Sequence, residues 1–175
     1  AILELENAMD KLEYNKILVN DNASLLVDRN TNTQYTYMVG LNPTSNTVSE
    51  VEAQLRNKNV QIEITRDGKK LSETDKVGTG CVIKCISAID PSAVYEVATV
   101  ILYGDVNGDG FVDETDMNLI FEDAFDNTEN IKSDSIYYIA ADVSKDGVLD
   151  MFDYFYLDGI ASGNRAFDQT QTLYK

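Results

Sequence analysis

A stretch of thirteen residues recurs at a fixed offset, and this recurrence constrains the chain more than any other feature. Gly104-Asp105-Val106-Asn107-Gly108-Asp109-Gly110-Phe111-Val112-Asp113-Glu114-Thr115-Asp116 aligns with Ala141-Asp142-Val143-Ser144-Lys145-Asp146-Gly147-Val148-Leu149-Asp150-Met151-Phe152-Asp153, 37 residues later. Counted from Asp105 and from Asp142, oxygen-bearing side chains fall at positions 1, 3, 5, 9 and 12 of each copy, with glycine at position 6. The charge is concentrated in the same region. Residues 101–162 hold 15 acidic residues against 2 basic ones, a net of −13, whereas residues 1–100 hold 14 against 10, a net of −4. Such a density of like charge opposes a compact fold unless something cationic sits within it.

The spacing is that of an EF-hand calcium loop. Calcium is a hard cation that takes 6–8 oxygens, and short oxygen side chains alternating around a tight turn suit it. In the first loop the ligands expected are Asp105, Asn107, Asp109, Asp113 and Asp116, with the Phe111 carbonyl at position 7 and Gly110 making the turn. In the second they are Asp142, Ser144, Asp146, Asp150 and Asp153, with the Val148 carbonyl and Gly147. A solvated acidic turn would account for one such loop, but not for two in register, each followed by a helix-like segment. Position 8 is apolar in both (Val112, Leu149), as pairing of the loops back to back requires. Two departures stand out. Position 12 is Asp rather than Glu, and Ser144 is a neutral ligand. Each loop still carries four carboxylates, so two calcium ions are expected. The part that holds them is expected to fold only with the metal, since chelation leaves eight carboxylates unneutralised around a small core.

Upstream, residues 1–16 read as an amphipathic helix or linker, with Leu5, Met9 and Leu12 at helical spacing. Residues 17–103 read as one small β-rich domain. Its strand signals are Leu25–Val27, Tyr35–Val39, Val60–Thr65, Cys81–Ile86 and Tyr95–Tyr103. Asp67-Gly68 marks a hairpin. Thr47 caps a helix carrying Val48, Val51 and Leu55, with Glu50 completing a capping box. Cys81 and Cys85 lie on one face of a strand, roughly 13 Å apart, too far for a mutual disulfide. They read as buried free thiols flanking Ile83, and with no histidine and no further cysteine they have no zinc partners.

Several function classes fall away. The absence of histidine removes Ser-His-Asp and Cys-His nucleophiles. The upstream acids are scattered and those of the C-terminal part are taken up by the loop spacing, so no enzyme is expected. A net charge of −16 argues against nucleic acid and anionic membranes as partners. No apolar run approaches the roughly 18–20 residues of a membrane-spanning helix, so no membrane insertion is expected. The chain opens at Ala1 without Met and reads as a piece of a longer polypeptide, so its lack of a signal peptide says nothing about secretion.

Residues Ala98–Gly104, before the first loop, read as a strand ending in glycine, so this unit lacks the entering helix of an ordinary EF-hand. With Gly104-Asp105-Val106-Asn107-Gly108-Asp109-Gly110 and the 37-residue duplication, residues 103–163 resemble the dockerins. The resemblance implies an all-α dockerin domain at 104–163, two calcium-binding loop–helix repeats, a cohesin partner and an extracellular, cell-surface-associated place in a cellulosome or related assembly. By order and size, residues 17–103 resemble the X-modules that precede some dockerins, which makes the whole an α+β chain. That module is expected to be sandwich-like, and its direct run into Gly104 suggests a rigid pair. A tail follows at 164–175.

In dockerins, loop positions 10 and 11 and the following helix face contact cohesin. The resemblance thus points to Met151, Phe152, Phe155 and Tyr156 on one helix and to Glu114, Thr115, Asn118, Phe121 and Glu122 on the other. The competing reading is that the apolar second face packs within the molecule. Met117, Ile120 and Ala124, aligned with Tyr154, Leu157 and Ala161, read as the stripe between the helices. The expected role is to anchor a larger secreted protein to a scaffold. The alternative is a calcium-stabilised structural or adhesive module without a cohesin partner.

Overall fold

The computed structural model describes residues 15–29, 35–126, 128–162 and 168–169. The helix expected over 1–16 lies outside the described residues except for its last two positions. Strands β1 (Leu26–Asp28), β2 (Tyr37–Val39), β3 (Val60–Arg66), β4 (Lys69–Lys70), β5 (Val82–Ser87) and β6 (Val94–Val100) are joined in one mixed sheet. Its order is β1-β2-β6-β5-β3-β4. All neighbours run antiparallel except β2 and β6, which pair parallel through Tyr37 with Thr99 and Met38 with Val100. The strands thus form a single sheet rather than two facing ones.

Local chemistry explains the turns and caps. Asp67 and Gly68 both have positive φ (50° and 75°), the geometry of a two-residue hairpin whose twist matches its strands. Between β2 and β3, helix α1 (Val48–Glu52) starts at Thr47 with the expected capping box. The Thr47 N–H donates to Glu50 Oε2 at 2.8 Å, and the Thr47 hydroxyl donates to the same oxygen at 2.7 Å. These bonds hold the Glu50 carboxyl at about 2, well below its ordinary value. Val48 and Val51 turn inward from α1 onto Leu25, Met38, Ile64, Ile83, Ala98 and both cysteines. Cys81 and Cys85 are buried thiols that form no disulfide. Burial, and then the charge of Glu96, pushes the Cys85 thiol up to about 11.

The helical part comprises α2 (Glu114–Asp126), α3 (Ile136–Ala141) and α4 (Met151–Ala161). α2 and α4 bury Ile120 and Leu157 between them, on the stripe read from the sequence. α3 was not foreseen. It starts at Ser135, whose hydroxyl accepts the Tyr138 N–H, and it leads into the second loop. Its sequence, Ile-Tyr-Tyr-Ile-Ala-Ala, has no polar side, so it carries no amphipathic period from which a helix could be read.

Two cores lie on either side of one wall. In β2, Met38 faces the core under α1 while Val39 faces the helical core. Beyond Val100 the alternation continues: Val100 and Leu102 belong to the sheet core, Ile101 and Tyr103 to the helical core. All four are fully buried. The strand expected to run to Tyr103 ends at Val100, because Leu102 and Tyr103 find partners outside the ladder. The Ile101 N–H donates to the Met38 carbonyl at 2.9 Å. Leu102 exchanges bonds with the Thr79 side chain (3.1 and 3.0 Å). Tyr103 exchanges 2.9 Å bonds with the buried Gln169 amide. Gln169 and Asp168 are the described residues of the C-terminal tail, and the Asp168 carbonyl accepts from Lys145 Nζ at 2.9 Å.

Candidate functional site

The first loop is built by short side chains folding back on their own backbone. Asp105 Oδ1 accepts the Gly108 N–H at 2.7 Å, and Oδ2 accepts the Gly110 N–H at 3.1 Å. Asn107 Oδ1 accepts from Asp109, Asp109 Oδ1 from Phe111 and Asp113 Oδ1 from Thr115, each at 2.8 Å. Asp116, one turn into α2, returns to accept the Val106 N–H (2.8 Å) on Oδ1 and the Asp113 N–H (3.0 Å) on Oδ2. The first and last ligand positions therefore close the loop from both ends.

The second loop repeats the scheme. Asp142 Oδ2 accepts the Gly147 N–H at 2.8 Å and Oδ1 the Asp146 N–H at 3.1 Å. Asp146 Oδ1 accepts from Val148 at 2.9 Å, and Asp150 Oδ1 from Phe152 at 2.7 Å. Asp153 accepts the Ser144 and Asp150 N–H groups, both at 2.9 Å. Ser144 Oγ lies 3.4 Å from Asp142 Oδ1. Position 4, a glycine in the first loop (Gly108, φ 78°), is Lys145 here and adopts the same left-handed conformation (φ 63°).

The electrostatics of these loops call for a cation. Asp105, Asp116 and Asp153 are fully buried. Burial pushes the Asp105 carboxyl up to about 7, and the nearby charges of Asp116 and Asp109 push the same way. Burial likewise raises Asp116, with Asp109 adding to it, and raises Asp153, with Asp142 adding to it. Among the described residues, no three His, Cys, Asp or Glu side chains close on a common point as a ready-made cluster. The loops instead place hard oxygen donors in the right number on backbone that is already turned. Buried carboxylates that raise one another are costly as bare anions, and a divalent oxygen-seeking ion offsets that cost. The residues present fit calcium in kind.

The partner candidates occupy the outer side of α2 and α4. Phe152 is 71% exposed and Phe155 59% exposed. Met151 is half-buried, and Tyr156 is half-buried against the helical core. Glu114, Thr115, Asn118, Phe121 and Glu122 are all exposed on α2. Phe125, missed in the sequence reading, is 64% exposed. It stacks on Phe121 with ring centroids 5.4 Å apart. Tyr154 then meets Phe121 edge-on at 5.2 Å and Phe155 at 5.6 Å. The four rings make a continuous aromatic ridge across the two helices. The i, i+4 spacing of Phe121 and Phe125 was the signal that could have found it. No helix among the described residues is long and apolar enough to cross a membrane.

Residues 103–158 match the family model of the dockerin type I domain. No curated protein and no solved structure matches the chain. Dockerin type I domains bind cohesins, typically hold calcium, and belong to extracellular, cellulosome-associated proteins.

Proposed function

We propose that the dockerin type I domain at residues 103–158 and the β-sheet region before it form one non-catalytic, calcium-dependent adaptor, which attaches a larger extracellular polypeptide to a cohesin-bearing scaffold. The observation that carries this reading is the family match over both loops, whose carboxylates are folded for a hard cation in two repeats of one hydrogen-bond scheme. Calcium, two ions in all, is held by the side chains of Asp105, Asn107, Asp109, Asp113 and Asp116 with the Phe111 carbonyl. The second ion is held by Asp142, Ser144, Asp146, Asp150 and Asp153 with the Val148 carbonyl. Bound calcium would neutralise the carboxylates of the loops from which α2 and α4 leave. Those two helices carry the aromatic ridge.

The ridge and Phe152 supply the apolar anchors of the cohesin contact, with Glu114, Thr115, Asn118 and Glu122 at its rim. Aromatic residues at the centre of an interface carry most of its energy, and rim polar groups carry little. The test is capture of the whole chain on immobilised cohesins of different classes. Capture in millimolar calcium that is lost in excess EDTA is expected. A calcium-loaded, folded chain that no cohesin retains would leave a purely structural module.

A further inference from the structure

The two loops are close copies in sequence, yet they stand in different surroundings. In the second, Gly147 is exposed, and a Cβ there would meet nothing within 4 Å. Among the described residues, the Asp142 carboxylate is bonded by its own loop alone. The first loop is covered by residues 76–80 of the sheet region, which lie between β4 and β5. Asp105 Oδ2 accepts a bond from outside its loop, the Thr79 N–H at 2.9 Å. Asn46, fully buried, donates to the Gly110 carbonyl at 2.7 Å and to the Val77 carbonyl at 2.8 Å. Arg66 donates to the Asp109 and Lys76 carbonyls at 3.0 and 2.8 Å. The fit leaves no room for a side chain at Gly78: a Cβ there would come within 2.2 Å of Asp105 Oδ2 and 2.5 Å of Gly110 N.

We propose that residues 76–80, with Asn46 and Arg66, are positioning residues for the first metal site, a brace on a loop that follows a strand rather than a helix. Calcium affinity at that site is then a property of the sheet region as much as of the loop. The physical reason is preorganisation. The Thr79 N–H fixes one oxygen of the position-1 carboxylate, and Asn46 and Arg66 hold the carbonyls of positions 5 and 6. The loop therefore has less freedom left to lose when the ion enters. Groups bonded to metal ligands from outside the coordination sphere typically change affinity about 10- to 100-fold when removed. The inference rests on the calcium reading above, and adds that the two sites are unequal, the braced one filling first.

The test is a calcium titration of the whole chain followed by the amide resonances of Gly110 and Gly147. Each amide bonds the first carboxylate of its own loop and so reports that loop alone. In the unaltered chain Gly110 should saturate at lower calcium than Gly147. Gly78→Ala and Asn46→Ala should raise the Gly110 midpoint about 10- to 100-fold. The Gly147 midpoint should stay within about twofold. Protection of Cys81 and Cys85 from thiol reagents shows whether each variant keeps its sheet, and if Gly78→Ala loses it, Asn46→Ala decides. A folded variant whose Gly110 midpoint does not move, or whose two midpoints move together, overturns the brace. If neither glycine responds to calcium in the unaltered chain, the calcium reading fails and the brace with it.

Discussion

Replacing Ile101 by alanine tests whether the sheet and the helices are one folding unit. Ile101 is fully buried and faces the helical core, while its neighbours Val100 and Leu102 face the sheet core. Truncating a buried isoleucine to alanine typically costs about 2–5 kcal/mol, from lost transfer energy and the cavity left behind. A central value of about 3 kcal/mol, in a chain of this size, lowers the melting temperature by about 6–12 °C. If the two cores unfold independently, only the helical one feels that loss. If they share their wall, both do, because the backbone that presents Ile101 and Tyr103 to one core presents Val100 and Leu102 to the other. The assay needs two probes on one sample in excess calcium. Far-ultraviolet circular dichroism at 222 nm follows the helices. Labelling of Cys81 and Cys85, which are buried in the sheet core, follows the sheet. Ile101→Ala should bring both transitions down by the same amount. A fall in the helical transition with thiol protection unmoved would refute the shared-wall argument. It would also accord with the expectation drawn from the sequence, that the part holding the loops folds only with the metal.

Three further outcomes follow from particular contacts. Met151→Ala with Phe152→Ala should weaken cohesin capture about thirtyfold or more, a hot-spot loss of about 2 kcal/mol; Glu114→Ala with Thr115→Ala should change it far less, and equal losses in a surface-binding assay would point to a symmetric mode. Gln169→Ala leaves the buried N–H and carbonyl of Tyr103 without the bonds they now make, so urea denaturation should show a loss of about 1–3 kcal/mol, and an unchanged midpoint would show that these bonds are made only in passing. The capping carboxylate of Glu50 is depressed in the fold to about 2, against 4.5; its contribution is present above pH 4.5 and lost as pH falls toward 2, so Glu50→Gln should lower the melting temperature at pH 6 but not at pH 2, and an equal gap at both would contradict the cap.

Much of this was legible because certain residue types leave their geometry few choices. Asp67-Gly68 admits two consecutive positive φ angles, and it became the hairpin. Thr47 and Glu50 at N-cap spacing became the capping box. Cys81, Ile83 and Cys85 share a face because strand side chains alternate, and all three are buried. The parts that were missed lack such restrictions. α3 is apolar on every side, so no period separates it from a strand. The contact of Thr79 with Asp105 spans 26 positions and runs through a backbone N–H, which any residue but proline can supply. Gly78 is silent as a letter, and only the fold shows that the space its missing side chain leaves is filled by the first loop. Likewise a lone glutamine in a polar tail gives no hint that it closes on Tyr103.

The relation between the two cores was written in the sequence in a form that is easily misjudged. A strand with one wet face alternates apolar and polar residues; a strand buried on both faces does not. Val100-Ile101-Leu102-Tyr103 has no polar residue, and the charge changes sharply just after it, at Gly104. Read for charge, that point looks like a boundary between domains. Read for burial, it says that both sides of the chain are dry immediately before the boundary, so a second core must already be packed there. The structure follows the burial: Val112, the apolar position 8 of the first loop, touches both cores. The Gly104 N–H, at the charge boundary, donates to Ala140 at the end of α3 at 2.8 Å. A metal loop seated between two cores cannot open without exposing part of each. That is the physical route by which an ion at Asp105 would bear on the stability of a sheet that supplies none of its ligands.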